Sequence, residues 1–170
     1  MALRFSNPRS VAEGAELPRN KIDDIDRKIL RALQENGRAS TREIAEKLGK
    51  LSKVAVSYRI RRLKRCGVLE GFYAKVNSQK LGRGFLFVTS LVLVNKGPAS
   101  TRTIQKIAAL KGVQSIYLTF GDFDAVVIAR TSDAIAARDL VYRMFRTGGV
   151  QSSRTLIVHT LVKESLEVDI

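Results

Sequence analysis

Residues 40–67 read STREIAEKLGKLSKVAVSYRIRRLKRCG, and this stretch decides the fold of the first half of the chain. Ser40 and Glu43 form an S-x-x-E capping box, which predicts the start of a short helix. Gly49 is the type of residue that ends a helix, and Ser52 is placed to cap the next one. The stretch therefore predicts two helices joined by a tight turn, the arrangement of a helix-turn-helix.

The second of these helices has one apolar side and one basic side. Val56, Ile60 and Leu63 recur at the spacing of a single helical face and predict its buried side. At 100° per residue, the opposite side carries arginines, a tyrosine and a valine. A helix-turn-helix inserts its second helix into the major groove of DNA, with the N-terminal part deepest. The residues predicted to contact DNA are Ser52, Lys53, Val54, Ser57, Tyr58, Arg61, Arg62 and Arg65.

Two kinds of DNA contact are expected within this set. The five predicted contact residues within positions 52–58 should approach base edges, with Val54 near a thymine methyl group. The three arginines that follow, Arg61, Arg62 and Arg65, are better placed to contact phosphates.

A further helix is predicted just before the quoted stretch. Asp23 or Asp24 is placed to cap it, and apolar residues follow at i, i+4 and i+8 from Ile25 until an Asn-Gly pair ends it. Arg59 of the basic helix flanks its buried side, where we expect it to pair with Asp24 or Asp26 of this first helix.

The charge of the chain points to a polyanionic partner. Lys and Arg number 30 against 16 Asp and Glu, which gives a net charge of +14. Eight of the basic residues and no acid lie between Glu46 and Glu70, whereas a solvated surface usually mixes its signs. Double-stranded DNA is the partner that suits a basic helix of this kind. No apolar run reaches the roughly 18 residues of a membrane span, so we expect no membrane association.

Few residues are available for catalysis or metal binding. The chain has one cysteine, Cys66, and one histidine, His159. These exclude a disulfide framework and a cysteine-rich zinc site, and they leave little for a histidine-dependent reaction. We expect no enzymatic activity, no cofactor and no metal.

The second half of the chain changes to strand-like patterns. Residues 68–76 alternate and predict a strand or short wing, and the polar residues 77–84 predict a hinge. The elements predicted after the hinge are strand 85–94, helix 100–110, strand 113–120, strand 123–130, a helix capped by Ser132 or Asp133 with Ile135 or Ala136 on its inner face, and strand 150–163. This βαββαβ order is the ferredoxin-like plan.

The predicted sheet is apolar on both sides. Two helices cover one side, and the other side cannot face water comfortably. We infer that it packs against a second copy of the chain. A homodimer also suits a helix-turn-helix protein that reads a palindromic site.

Motifs along the chain resemble those of the Lrp/AsnC (feast/famine) family over roughly residues 21–165. They are IDDIDRKIL (22–30), NGR (36–38), IAEKLG (44–49), VSYRIRRL (56–63), GVL (67–69), GFYA (71–74) and GDFD (121–124). The resemblance implies an α+β protein with an N-terminal winged helix-turn-helix domain and a ferredoxin-like effector domain. The predicted division is a flexible basic tail (1–20), a DNA-binding domain with its linking strand (21–76), a hinge (77–84), and a ligand-binding and oligomerisation domain (85–170).

The resemblance also implies a function. A protein of this type is a sequence-specific transcriptional regulator in the cytoplasm, associated with the nucleoid. It binds pseudo-palindromic promoter DNA as a dimer that assembles further into tetramers or octamers, and an amino acid or other small effector modulates it. The effector residues implied are Tyr117, Thr119, Gly121, Asp122 and Asp124.

The expected chemistry at this turn is simple. Asp122 and Asp124 would hold an ammonium group, and backbone N–H groups of the turn would take a carboxylate. A plain β-turn and a metal site are the alternatives, although two carboxylates without a histidine make a poor transition-metal site. Phe120 departs from the small hydroxyl residue common in the family, and the turn over residues 49–52 is one residue longer than usual.

Two other functions fit parts of the sequence. A nucleoid-packaging protein with little sequence preference would share the charge, and its marks would be a steep salt dependence and a specificity ratio near one. An enzyme resembling sirohaem decarboxylases shares the two-domain plan. Such an enzyme would need several histidines around a tetrapyrrole, which a chain with one histidine does not offer.

Overall fold

The computed structural model describes residues 22–49, 51–95 and 97–170. Their contacts divide the chain into two compact units, one of Met1–Ala74 with Ser165–Ile170 and the other of Lys75–Glu164. The predicted basic tail, residues 1–20, lies outside the described residues. Residues 165–170, which the sequence assigned to the second domain, group with the first unit instead.

The described residues of the first unit form three helices. They are α1 (Asp24–Glu35), α2 (Thr41–Leu48) and α3 (Lys53–Arg65). Their inward side chains form one core, as the periodicity predicted. Its buried residues are Ile29, Leu30, Ala32, Leu33, Ile44, Ala45, Val56 and Leu63.

The helix ends follow the capping signals of the sequence. The carboxylate of Asp23 accepts a hydrogen bond from the N–H of Asp26 at 2.8 Å. The hydroxyls of Ser40 and Ser52 each accept one from the N–H three residues further on, at 3.1 Å. Gly49 ends α2 with φ at 67°, a left-handed conformation that glycine adopts without strain. The predicted turn between α2 and α3 is thereby confirmed.

The last residues of the chain pack on α1. The side-chain amide of Gln34 donates to the carbonyl of Val168 at 3.0 Å, and Arg31 Nε donates to the backbone oxygen of Ile170 at 2.7 Å. The Ile170 side chain also packs against the three-helix core. These contacts explain why the segment groups with the first unit.

The strand predicted over residues 68–76 is absent. No strand lies between Arg65 and Phe85, and the side chains of Tyr73 and Val76 are 78% and 63% exposed. A strand needs a neighbour to accept and donate its backbone hydrogen bonds. None of the described residues of this chain supplies that neighbour, so the alternating pattern does not become a strand within one chain.

The second unit is a four-stranded antiparallel sheet covered on one side by two helices. The strand order is β2-β3-β1-β4, which confirms the predicted ferredoxin-like plan. The elements are β1 (Phe85–Leu93), α4 (Thr101–Ala108), β2 (Val113–Leu118), β3 (Ala125–Thr131), α5 (Ala134–Phe145) and β4 (Val150–Ile157), with a 3-10 turn at Gly97–Ser100 before α4.

Two details of this unit differ from the prediction. The inner face of α5 is formed by Ala137, Leu140 and Met144, whereas Ile135 is 66% exposed. Strand β4 ends at Ile157, which pairs with Phe87 near the start of β1. The Val158 N–H still donates to the Leu86 carbonyl at 3.0 Å, but β1 begins at Phe85 and does not extend alongside residues 160–163. The predicted extension of β4 to residue 163 was therefore wrong.

The two sides of the sheet differ. The helix-covered side contains the second core, with Phe87, Leu91 and Val127 fully buried. The other side, called the open sheet face below, is not covered by a helix of the described chain. Apolar and aromatic residues on it include Leu86, Val88, Val92, Tyr117, Val126, Ile128 and Leu156.

Within residues 22–49, 51–95 and 97–170, no helix has the length and apolar character needed to cross a bilayer.

Candidate nucleic-acid interface

Helix α3 presents a mixed apolar and basic stripe to solvent. Val54 and Tyr58 are 65% and 58% exposed, and Arg61 and Arg65 are exposed as well. Their spacing of four, three and four residues places them along one side of the helix. An exposed valine and tyrosine followed by two arginines on the same side of a helix suit contact with bases and phosphates.

The start of α3 carries the remaining polar residues of the predicted set. Ser52 and Lys53 are exposed, and Ser57 is half-buried one turn later. Because the Ser52 oxygen accepts the Ala55 N–H, its hydroxyl proton is left to donate to another group. The structure therefore brings Ser52, Lys53, Val54, Ser57 and Tyr58 to the N-terminal half of one helix.

The opposite side of α3 anchors it to the core. Val56 and Leu63 are fully buried, and Ile60 packs against the same cluster. Burying side chains of this size stabilises the unit by about 1.5–3 kcal/mol each. The exposed stripe is thus carried on a helix whose orientation is fixed by packing.

A charge network joins α3 to α1. Arg59 donates to the carboxylates of Asp23 at 2.7 Å and Asp26 at 2.8 Å. Arg62 donates to the other oxygen of Asp26, whose side chain is completely buried. Of the two partners predicted for Arg59, Asp26 is confirmed and Asp24 is not. The second carboxylate that Arg59 contacts is that of Asp23.

The network changes the expected place of Arg62. Its side chain is only 20% exposed, so it lies at the edge of the helix against Asp26 and away from the exposed stripe. The angular position of Arg62 around α3 places it beside the buried side of the helix. That angle does not reveal that the buried carboxylate of Asp26, on α1, lies next to it. A spacing of three between Asp23 and Asp26, matched by a spacing of three between Arg59 and Arg62, is the signal that could have revealed it.

The network also shifts pKa values. Burial alone would raise the pKa of Asp23, but hydrogen bonds from Arg59 and from the Asp26 N–H outweigh it and leave that pKa below its usual range. The hydrogen bond from Arg59 to Asp23, and to a smaller extent the one to Asp26, raises the pKa of Arg59. The charged forms of both side chains are thereby favoured at neutral pH.

The turn between β2 and β3 holds the predicted effector residues. Gly121 has φ at 121°, a conformation that favours glycine. Asp124 accepts the Leu93 N–H through its carboxylate at 2.8 Å, and its own N–H donates to the Leu91 carbonyl at 2.9 Å. The Asp124 side chain therefore fastens the turn to the end of β1.

Most of the residues at and just before this turn are exposed to solvent. Asp122 and Phe120 are exposed, and Tyr117 is 56% exposed. Thr119 donates its hydroxyl proton to the Phe123 carbonyl at 2.6 Å. The structure thus brings Thr119, Gly121, Asp122 and Asp124 to one turn, with Asp122 as an exposed carboxylate, whereas Tyr117 lies on β2 opposite Val126, on the open sheet face.

Comparison with known proteins identifies both units. Residues 22–64 match the model of the AsnC-type helix-turn-helix domain, and residues 89–168 match the model of the Lrp/AsnC ligand-binding domain. The transcriptional regulator FL11 of Pyrococcus furiosus is 33% identical over 152 residues, which cover 89% of this chain and 99% of that protein.

Two further proteins agree with this identification. The leucine-responsive regulatory protein of Escherichia coli is 32% identical over 157 residues, which cover 91% of this chain and 95% of that protein. The feast or famine regulatory protein of Mycobacterium tuberculosis, solved in complex with L-methionine, superposes with a TM-score of 0.79 at 29% identity, over 87% of this chain and 99% of that one. The chain therefore belongs to the Lrp/AsnC family of transcriptional regulators, with a helix-turn-helix domain followed by a ligand-binding domain.

Proposed function

We propose that the chain reads promoter DNA by inserting α3 into the major groove. The observation that carries this proposal is the exposed stripe of Val54, Tyr58, Arg61 and Arg65 on the side of α3 opposite its buried face. Base discrimination comes from the N-terminal half of the helix, where a good bidentate contact is worth about 1–3 kcal/mol.

Phosphate contacts are assigned to the C-terminal half of the helix. Arg61 and Arg65 are exposed and point along the stripe. Arg62, which the sequence placed in the same group, is bonded to Asp26, and we assign it to holding α3 against α1. Each phosphate neutralised lowers the logarithm of the binding constant by about 0.9 per logarithmic unit of salt.

A homodimer is the proposed binding form. The open sheet face carries Val88, Val92, Val126 and Ile128, and no helix among the described residues covers it. A second copy packed on this face would remove the apolar surface from water. Two α3 helices would then read half-sites about one helical turn apart, and assembly into tetramers or octamers would build on this dimer.

An amino acid is the proposed effector, bound at the turn between β2 and β3. The related protein of Mycobacterium tuberculosis was solved with L-methionine. In this chain Asp122 offers an exposed carboxylate for an ammonium group, with Tyr117 on β2 and Thr119 directly after that strand. Asp124 shapes the turn through its bond to Leu93, so Asp122→Asn is the cleaner variant. Calorimetric titration with the amino acids should give heat for the unmodified protein and none for this variant.

The experiment that tests the proposed function is a selection of genomic fragments bound by the purified protein at near-physiological salt. Recovery of a pseudo-palindrome supports a sequence-specific regulator, for which we propose a place in the cytoplasm on the nucleoid. Uniform recovery of all fragments supports a packaging protein with little sequence preference. Recovery of no fragment contradicts DNA binding and returns attention to an enzyme of the sirohaem decarboxylase type, which would colour the protein when it binds a tetrapyrrole.

A further inference from the structure

The unit that carries no helix-turn-helix is the more basic of the two. Residues Lys75–Glu164 contain thirteen Lys and Arg against five Asp and Glu, a net charge of +8. The rest of the chain contains seventeen against eleven, a net charge of +6. DNA binding by α3 accounts for the charge of the first unit and leaves that of the second unexplained.

The few acids of the second unit are mostly engaged in local structure. Asp124 accepts the Leu93 N–H, and Asp133 accepts the Ala136 N–H at the start of α5. Glu164 pairs with Arg130 at 2.9 Å, and Asp139 lies 3.7 Å from Arg138. Asp122 and Asp124 lie at the turn between β2 and β3, and Glu164 lies beyond β4, so Asp133 and Asp139 are the two acids of this unit at or within α5.

Six of those cations lie on or next to the two helices. We call the solvent side of α4 and α5 the basic helix layer. All six side chains are exposed, and among the described residues only Arg138 has an ion-pair partner. They are Arg102, Lys106, Lys111, Arg138, Arg143 and Arg146.

Packing brings cations from the two helices to one end of this layer. Thr103 of α4 lies so close to Gly149 that a Cβ added to the glycine would be 2.0 Å from the threonine Oγ1. The start of α4 therefore meets the segment that follows α5. Arg102 lies at that start, and Arg143 and Arg146 lie at the end of α5.

Helix dipoles do not account for this cluster. Arg143 and Arg146 suit the negative end of α5, but Arg102 lies in the first turn of α4, where the dipole disfavours a cation. The layer also lies on the side of the sheet away from the open sheet face, so the proposed dimer leaves it exposed.

We infer that the basic helix layer is a second DNA surface, which contacts phosphates without reading sequence. The inference rests on the proposed function, because the duplex is the one that α3 binds. A polyanion is the partner that complements a surface with six exposed cations and two carboxylates, Asp133 and Asp139. The layer extends the bound length of DNA beyond the operator that α3 reads.

The test compares two variants that each lose three positive charges from the second unit. One is Arg102→Gln with Arg143→Gln and Arg146→Gln, in the layer. The matched control is Lys80→Gln with Arg83→Gln and Lys163→Gln, which are exposed outside it. Binding constants are measured against salt for a duplex of about 20 base pairs that spans two half-sites and for one of about 60. Thermal melting checks that both variants fold.

The inference predicts that the layer variant binds the short duplex within about twofold of the unmodified protein. On the long duplex its salt slope should fall by up to about 0.9 for each lost contact, and the control should retain the full slope. Equal slopes for the two variants on the long duplex would overturn the second surface while leaving α3 binding intact. Failure of the unmodified protein to bind either duplex would instead overturn the proposed function, and this inference with it.

Discussion

At the scale of single residues, Asp26 fixes the position of helix α3 on α1. Its buried carboxylate accepts hydrogen bonds from Arg59 and Arg62, both on α3. A buried carboxylate is tolerated only when it is paired and hydrogen-bonded. Asp26 therefore specifies one orientation of α3 on α1, and with it the direction in which Val54 and Tyr58 point.

Removing this carboxylate should destabilise the protein. Asp26→Ala leaves two partly buried guanidinium groups without their shared partner, and loss of one member of a buried pair costs about 3–5 kcal/mol. Asp24→Ala is the matched control, since Asp24 is exposed on the same turn, and its effect should stay below about 1 kcal/mol. Urea denaturation measures both, and similar losses for the two variants would contradict the role assigned to Asp26.

Neighbouring arginines of α3 should behave differently from one another. Arg61→Gln and Arg65→Gln should weaken binding to all duplexes alike and lower the salt slope by about 0.9 per lost contact, with little change in stability. Arg62→Gln should lower stability, because it breaks the bond to Asp26, and leave the slope unchanged. Binding isotherms at several salt concentrations measure the slope, and a lower slope for the Arg62 variant would return that residue to the phosphate contacts.

At the scale of elements, the sequence predicts structure well where the signals are local. The caps at Asp23, Ser40 and Ser52 and the end of α2 at Gly49 depend on residues within one turn. All were predicted, Asp23 as one of two candidates with Asp24. Whether residues 68–76 form a strand, and where β4 ends, depends on whether a neighbouring strand is present to share backbone hydrogen bonds. The local sequence pattern does not reveal that neighbour. The partner of Arg62 was missed for the same reason, since Asp26 is 36 residues away in sequence.

Capping carboxylates should make stability depend on pH. A hydrogen bond from the Ala136 N–H, followed by one from the Ser132 hydroxyl, holds the pKa of Asp133 below its usual value. The Ser40 backbone and side chain do the same for Glu43. A carboxylate whose pKa is lower in the folded protein than in the unfolded chain stabilises the folded form at pH values above its unfolded pKa, near 4. This contribution is therefore full at pH 7, and it is lost as the pH falls through the folded pKa.

The variant Asp133→Asn isolates one such contribution. Asparagine caps a helix about as well as aspartate but does not titrate. Urea midpoints measured from pH 7 to pH 3 should therefore fall less steeply for the variant than for the unmodified protein. Parallel curves would show that the charge on Asp133 does not contribute.

At the scale of the whole molecule, the open sheet face should determine oligomeric state. Val88→Glu or Val126→Glu places a charge in the proposed interface, where burying it without a partner is costly, and should convert the dimer to monomers. Ile135→Glu is the control, because Ile135 is 66% exposed on the other side of the sheet. Sedimentation equilibrium measures the mass, and an unchanged mass for all three variants would rule out this interface.

The central claim is that the exposed side of α3 reads base sequence. Its most direct test is the ratio of dissociation constants for the selected site and for a shuffled duplex of equal length, in the unmodified protein and in Tyr58→Ala. Tyr58 is 58% exposed and contributes nothing to the core of the first unit, so the variant should fold. We predict that the ratio falls by about tenfold, equivalent to about 1.4 kcal/mol, while binding to the shuffled duplex is retained. An unchanged ratio for this variant and for Val54→Ala would contradict the claim.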